Sequence, residues 1–176
     1  MAGWTDSSPT SRIFTQALIN PILGRVWSTA APTSFVNLSS DTVNAALFNN
    51  SVSPDASAAV ASTGFNTGTW TTTNEVTDVT NWTSGGRALG SKTFSALTAG
   101  SQTTASSVAF AAANTSGGGS VTISGALGCM VYDATISAGT VAKQGLCFNY
   151  FGGSQSVTGG TFTIVWDASG VFKVTN

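Results

Sequence analysis

The sequence predicts an all-β fold, a single β-sandwich or barrel-like domain with a short N-terminal helix or arm. Many short stretches of alternating apolar and polar residues are separated by Gly-rich turns, which is typical of a sandwich or barrel. A length of 176 residues suits one domain that buries a sizeable core. Because the residue pattern changes just after Pro32, we assign residues 1–33 to the N-terminal arm and residues 34–176 to the β-sandwich domain.

The N-terminal arm carries the pattern of a short amphipathic helix. Ser8 is a suitable cap, Pro9 is a suitable first helical residue, and Pro21 should end or kink the helix. The apolar residues at helical spacing in this stretch are Ile13, Phe14, Ala17 and Leu18. Such a helix either covers its own β-core or grips a neighbouring molecule, and the pattern favours neither.

The residues that follow the arm show the pattern of short strands. Val43, Ala45 and Leu47 alternate with their neighbours, which predicts a half-buried strand, and a long polar loop follows at residues 49–64. Further strands are expected at residues 67–73, 91–97, 106–112, 121–132, 145–151, 161–166 and 171–175.

The C-terminal stretch predicts a hairpin in the core. Phe162, Ile164 and Trp166 fall on one side of the first strand, because side chains alternate along a strand. Residues 167–170 supply a turn that ends in glycine, which takes a positive φ at little cost. The second strand of this hairpin is expected at residues 171–175.

The composition is poor in charge. Charged residues make up 7% of the chain and the formal net charge is −1, whereas ordinary soluble domains carry about 25% charged residues. We therefore expect neither a nucleic acid nor an anionic membrane as a partner. Copies with so little net charge barely repel one another, which favours a protein that ends up in an assembly. A secreted β-domain with a hydroxyl-rich surface fits the composition equally well.

The sequence shows neither a signal peptide nor a membrane helix. The N-terminus lacks a basic region followed by an apolar run. The longest apolar run, residues 108–113, is far short of the roughly 20 residues that a membrane helix needs. We expect synthesis in the cytoplasm, where Cys129 and Cys147 stay reduced. Because both lie in apolar strand patterns, we predict buried, inert thiols rather than a disulfide.

Few side chains are suited to catalysis or metal binding. The chain has no histidine, so a Ser-His-Asp or Cys-His arrangement is impossible. Of the seven carboxylates, only Glu75 and Asp78 are close in sequence, and their polar neighbours indicate loop residues. A carboxylate pair assembled through space remains a weak alternative. We therefore expect no enzyme activity, no bound metal and no cofactor.

Two further patterns suggest binding, and each has a simpler explanation. GGRALGSKT (85–93) approaches a phosphate-binding loop, but Ser91 interrupts the motif and a strand rather than a helix follows. Trp70 and Trp82 lie in Thr-rich surroundings where a sugar platform could form. We favour the alternative, in which both rings pack over the end of the sandwich.

Three stretches of the sequence resemble segments that recur in structural proteins of tailed bacteriophages. We call them the first, second and third phage-like stretch. They are TNEVTDVTNWTSGGRAL (73–89), GALGCMVYDA (125–134) and LCFNYFGGSQSVTGGTFTIVWDASGVFKV (146–174). The resemblance covers most of residues 42–174, and its C-terminal part is the most specific. The residues that carry it are Tyr132, Phe151, Gly152, Gly153, Gly160, Phe162, Trp166, Gly170 and Phe172. Asp78 and Trp82 stand where this family usually has Gly and Tyr.

The resemblance implies a virion component and assigns no enzyme activity to it. We expect a capsid decoration (cement) protein on the outside of the head, a homotrimer that binds the major capsid protein across subunit junctions. The residues expected at this interface are Trp4, Ile13, Phe14, Leu18 and Trp27. Two alternatives are a tail, baseplate or fibre component of the same virion and, from a different class, a carbohydrate-binding module that uses Trp70 and Trp82.

Overall fold

The computed structural model describes residues 12–13, 38, 40–97, 107–139 and 141–175. Within this part of the chain the regular structure is β, and the strands pair antiparallel. The strands are β1 (Arg12–Ile13), β2 (Val43–Phe48), β3 (Glu75–Val76), β4 (Arg87–Ala88), β5 (Thr93–Leu97), β6 (Ser107–Ala111), β7 (Thr115–Ser116), β8 (Val121–Asp133), β9 (Gly145–Gly160), β10 (Thr163–Ile164) and β11 (Phe172–Thr175). One 3₁₀ turn, Val60–Ser62, lies in the predicted polar loop. The all-β prediction is confirmed.

The main sheet has the strand order β1-β9-β8-β2-β3, and β4 also pairs with β2. Strand β2 lies inside this sheet, with β8 on one edge and both β3 and β4 on the other. Five of its six residues are buried, so both faces of β2 are covered and the half-buried strand predicted here is a central one. A three-stranded sheet (β11-β6-β5) and a two-stranded sheet (β10-β7) complete the β-sandwich-like arrangement.

Aromatic rings fill the core beside the main sheet. The ring of Phe48 on β2 meets Trp70 edge-on at 5.1 Å between centroids. Phe65 stacks on Tyr132 of β8 at 4.7 Å, and Trp70 also contacts Phe148 of β9 at 5.8 Å. These rings come from loops and strands that are distant in sequence, so the long loop before β3 contributes to the core.

The predicted C-terminal hairpin is wrong in its pairing. Its first strand survives as β10, which pairs with β7, and its second as β11, which pairs with β6. Only the Asp167–Gly170 bridge joins the two arms. The reason lies in the turn, because the Val171 N–H donates to the Phe110 carbonyl of β6 at 2.8 Å. This contact directs β11 onto β6. The predicted alternation holds, since Ile164 is buried and Thr163 is exposed.

The strand predicted at residues 67–73 is also wrong, because this stretch is a series of turns. The Thr67 hydroxyl donates to the Gly64 carbonyl and accepts from the Gly64 N–H. The Asn66 N–H donates to the Trp70 carbonyl, and Asn66 and Gly68 both have positive φ. Local hydrogen bonds therefore satisfy the backbone groups that a strand would have paired with a neighbour.

The N-terminal helix is not supported where the chain is described. Arg12 and Ile13 form β1, which pairs with Phe148 and Cys147 of β9. An edge strand offers unpaired N–H and C=O groups, and pairing with that edge takes precedence over the helical spacing of the apolar residues. The remainder of the predicted helix, and most of the 1–33 arm, lies outside the described residues.

Candidate functional site

The loop between β3 and β4 is tied to the main sheet by a small hydrogen-bond network. The Tyr132 hydroxyl donates to the Gly85 carbonyl oxygen at 2.7 Å, and Asn44 Nδ2 donates to the same oxygen at 3.1 Å. The Glu75 carboxylate accepts hydrogen bonds from the Ser84 hydroxyl at 2.7 Å and from the Gly85 N–H at 2.8 Å. The end of the loop before β4 is therefore held against β2 and β8 and is tied to β3 through Glu75.

Gly86 lets this loop approach the sheet closely. It has a φ of +72°, and a Cβ placed there would collide with the backbone of Ala45 on β2. Only glycine satisfies both conditions, since other residues avoid positive φ and carry the extra carbon. Gly86 of the first phage-like stretch thus has a structural role.

Glu75 and Asp78, the two carboxylates that are close in sequence, have different partners. Burial raises the pKa of Glu75, although its hydrogen bonds from Ser84 and the Gly85 N–H act in the opposite direction. Hydrogen bonds from the backbone N–H groups of Asn81, Thr80 and Thr122 lower the pKa of Asp78. Each carboxylate thus organises the same loop.

The tip of this loop carries an exposed apolar side chain. Val79 is 96% exposed and directly follows Asp78. The Asp78 carboxylate accepts hydrogen bonds from Asn81 N at 2.7 Å, Thr80 N at 2.9 Å and Thr122 N at 3.0 Å. Val79 therefore projects from a loop whose backbone is fixed on both sides, which is a suitable geometry for a contact with another molecule.

A groove of about 360 Å³ lies between β9 and β10. Its described lining contains no charged side chain, and Val165 at its rim is 71% exposed. The described lining residues are Tyr150, Phe151, Gln155, Phe162, Thr163, Ile164 and Val165. All of them belong to the third phage-like stretch.

A bulge in β9 shapes this groove. Ala126 pairs with Gln155 while Gly128 pairs with Tyr150. Residues 151–154 of β9 therefore lie opposite the single residue 127 of β8. Such a bulge bends the strand and redirects its side chains. Phe151, inside the bulge, reaches the Phe162 ring at 6.2 Å between centroids. Gly152 and Gly153, which help to carry the resemblance, lie in this bulge.

Trp70 and Trp82 do not form a sugar platform. Their side chains are 1% and 0% exposed, respectively. The Trp82 ring meets Phe162 edge-on at 5.3 Å, and Trp70 packs between Phe48 and Phe148. The packing interpretation is thus correct for both residues, and a carbohydrate site built on these rings is excluded.

The residues predicted at the interface fall largely beyond the described structure. Trp4, Phe14, Leu18 and Trp27 lie outside the described residues. Ile13 is in β1, and its backbone pairs with Cys147. The described residues therefore do not show whether these five side chains lie on one surface.

Asp41 and Asp133 form a carboxyl pair that the sequence did not reveal. Asp133, the last residue of β8, is 0% exposed. Its Oδ1 accepts a hydrogen bond from the Thr135 N–H at 2.8 Å. Burial and the neighbouring Asp41 carboxyl raise the pKa of Asp133 to about 7. The two residues are far apart in the chain, and the register of β2 against β8 brings them together.

Both cysteines are buried free thiols, as predicted. Burial raises the pKa of Cys147 to about 12, and it raises that of Cys129 as well.

The stretch at residues 85–93 forms a turn and β4 and leads into β5, so it lacks the helix that a phosphate-binding loop requires. Among the described residues no three His, Cys, Asp or Glu side chains are grouped to hold a metal. No helix in the same part of the chain is long and apolar enough to cross a membrane.

Comparison with known proteins gives no relative. No family model, no curated protein and no solved structure matches this chain. A function therefore has to be argued from the residues and their arrangement.

Proposed function

We propose that this chain is a virion structural protein of a tailed bacteriophage, and more specifically a capsid decoration (cement) protein. The observation that carries the proposal is that the three phage-like stretches meet in space. The Gly85 carbonyl in the first stretch accepts from Tyr132 in the second. The Trp82 ring in the first stretch contacts Phe162 in the third. Segments that resemble one family and also form one packed unit support a shared architecture.

The proposed mechanism is mechanical. The protein binds across junctions between major capsid protein subunits on the outside of the head and forms a homotrimer there. Roughly 100 Å² of apolar surface buried at such a contact contributes about 2.5 kcal/mol, less the cost of ordering the arm. A formal net charge of −1 means that little electrostatic repulsion opposes dense packing of copies. Synthesis takes place in the host cytoplasm.

The proposed contact surface includes the N-terminal arm. Within the arm, Arg12 and Ile13 form β1, which pairs with the outer edge of β9. The residues that we propose to contact the capsid or a sister copy are Trp4, Ile13, Phe14, Leu18 and Trp27. Val79 and Val165, the two most exposed large apolar side chains of the described structure, are candidates for additional contacts.

Add-back to undecorated particles tests this proposal. Heads made without the gene are mixed with the full chain or with residues 31–176, and binding is measured by co-sedimentation and by cryo-electron microscopy. We expect the full chain to bind the shell and to raise its resistance to heat, and the truncated chain to stay in solution. Circular dichroism of the truncated chain checks that its β-core remains folded.

A full-length variant with Trp4, Phe14 and Trp27 all changed to Ala is a gentler test of the arm, because it keeps β1 in place. Complete decoration by this variant and by the truncated chain would show that the arm is not the contact. Absence of the full chain from purified virions, or turnover of a substrate by it, would contradict the proposed function itself.

A tail, baseplate or fibre location is the nearest alternative, since the same fold and surface chemistry would serve there. Separated heads and tails, analysed by mass spectrometry, distinguish the two locations. Recovery in the tail fraction alone would keep the virion assignment and overturn the decoration of the head.

A further inference from the structure

The side chain of Asp133 is buried with one oxygen atom that receives no hydrogen bond from any described donor. Its Oδ1 accepts from the Thr135 N–H at 2.8 Å, but Oδ2 has no such partner. A buried charged oxygen without a donor is costly. Something must therefore satisfy Oδ2 in the folded protein.

The backbone around this carboxyl is fixed, so Asp133 cannot simply turn away from Asp41. The Ala134 N–H donates to the Thr42 carbonyl at 2.8 Å, and the Thr42 N–H donates to the Thr135 hydroxyl at 2.8 Å. These bonds join the start of β2 to the end of β8. They bring residue 41 next to Asp133, and the Asp41 carboxyl acts on Asp133 as a side-chain hydrogen-bond partner that raises its pKa.

Two lysines on neighbouring segments have contacts of their own. Lys92, in the segment before β5, donates to the Asp41 backbone carbonyl. The Lys143 ammonium, in the loop before β9, lies over the Phe65 ring at 5.2 Å from its centroid. The Gln144 amide donates elsewhere, to the Thr63 hydroxyl and the Gly145 carbonyl. The charged neighbour that raises the pKa of Asp133 is Asp41, which is another acid.

We propose that Asp41 and Asp133 share one proton and form an acid clasp, which fastens the start of β2 to the end of β8 and opens when the proton is lost. One carboxylic acid that donates to one carboxylate satisfies the orphan Oδ2 without a second buried charge. A divalent cation is the less suitable occupant, because calcium needs six to eight oxygen ligands and the described residues offer no third carboxylate here.

The clasp has a defined pH window. Asp133 has its pKa raised from 3.8 to about 7 by burial and then by Asp41. Between these values the folded chain holds a proton that the unfolded chain has released. The contribution to stability is therefore complete below 3.8 and is lost as the pH rises through about 7.

Unfolding of the full chain in urea, measured from acidic to alkaline pH, tests the clasp. Asp133→Asn is the main variant, since its amide can keep the bond from Thr135 N–H and donate to Asp41 as the protonated acid does. We expect the wild type to lose stability towards alkaline pH, and Asp133→Asn to be the more stable of the two there. Asp41→Asn, which supplies the donor from the other side, should behave in the same way.

Two local measurements keep the proposal falsifiable if a variant folds poorly. In the wild type, the infrared band of a protonated carboxylic acid should persist at neutral pH, disappear in alkaline buffer and be missing in Asp133→Asn. The protection factor of the Ala134 amide, which removes the effect of base catalysis on exchange, should fall over the same pH range in the wild type and not in Asp133→Asn. A wild type without that band at neutral pH would overturn the clasp. Stabilisation by calcium that EDTA reverses and Asp133→Asn abolishes would also overturn it, because the occupant would then be a cation.

Discussion

The Tyr132 hydroxyl donates a 2.7 Å hydrogen bond to the backbone carbonyl of Gly85, which lies 47 positions earlier in the chain. The bond crosses from β8 to the loop after β3, so it links two of the three phage-like stretches. Asn44 Nδ2 donates to the same carbonyl at 3.1 Å. A single backbone oxygen therefore joins β2, β8 and the loop, which explains why a tyrosine at this position matters to the fold.

Tyr132→Phe removes this donor and keeps the ring that stacks on Phe65. We expect the free energy of unfolding to fall by about 1 kcal/mol, because the Gly85 carbonyl retains its bond from Asn44. Urea unfolding followed by tryptophan fluorescence measures the change, and the m-value should stay constant. Val79→Thr, on a fully exposed side chain, is the control and should change stability by less than about 0.5 kcal/mol. Equal effects of the two variants would contradict the linking role of Tyr132.

Gly86→Ala tests the close approach of the same loop to β2. The residue has a positive φ, and an added Cβ would collide with the Ala45 carbonyl, which belongs to a buried strand that cannot move freely. We expect a loss of about 3 kcal/mol or more, because backbone strain and a steric clash add together. Gly119→Ala is the matched control, since a Cβ there meets nothing within 4 Å. Thermal unfolding of both variants decides the matter, and similar melting temperatures would refute the close approach.

The sequence predicted the existence of most strands but not their partners. Alternation along residues 161–166 identified the inward face of β10, because that pattern is local. The pairing of β11 with β6 depends on a contact between Val171 and Phe110, which no local pattern encodes. The Asp41–Asp133 pair escaped notice for the same reason, since only the register of β2 against β8 places the two carboxyls together. The groove likewise needs the β9 bulge, of which the sequence showed only two glycines.

Asp78→Ala should destabilise the protein in a pH-dependent way. Hydrogen bonds from Asn81, Thr80 and Thr122 lower the pKa of Asp78 from 3.8. A carboxyl with a lowered pKa contributes stability above its ordinary pKa, and this contribution is lost as the pH falls through the folded value. We therefore expect a lower melting temperature than the wild type at neutral pH, and a difference that shrinks as the pH falls below 3.8.

Asp55→Ala is the matched control for this titration. Its carboxylate accepts a backbone hydrogen bond from the Ser57 N–H at 2.8 Å, whereas that of Asp78 accepts three. The control should therefore lower the melting temperature less at neutral pH. A difference between Asp78→Ala and the wild type that stays constant down to strongly acidic pH would show that the carboxylate charge is not what organises the loop.

The pairing of β1 with β9 can be trapped by a disulfide, because Ile13 lies opposite a natural cysteine, Cys147. Residues directly opposite in an antiparallel pair have Cα atoms about 4.5–5.5 Å apart, inside the usual range for disulfides. In an Ile13→Cys variant that also carries Cys129→Ala, mild oxidation should form an intrachain bond. The oxidised protein should migrate as a compact monomer on a non-reducing gel, and mass spectrometry should find the 13–147 cross-link.

Arg12→Cys in the same Cys129→Ala background is the control, because residue 12 pairs with Phe148 and not with Cys147. It should give little cross-link under the same conditions. Interchain dimers from the residue-13 variant would contradict pairing within one chain. They would instead mean that β1 is exchanged between copies, so that the arm of one molecule completes the sheet of the next. Such an exchange costs few contacts among the described residues, where β1 pairs with β9 through Arg12 and Ile13.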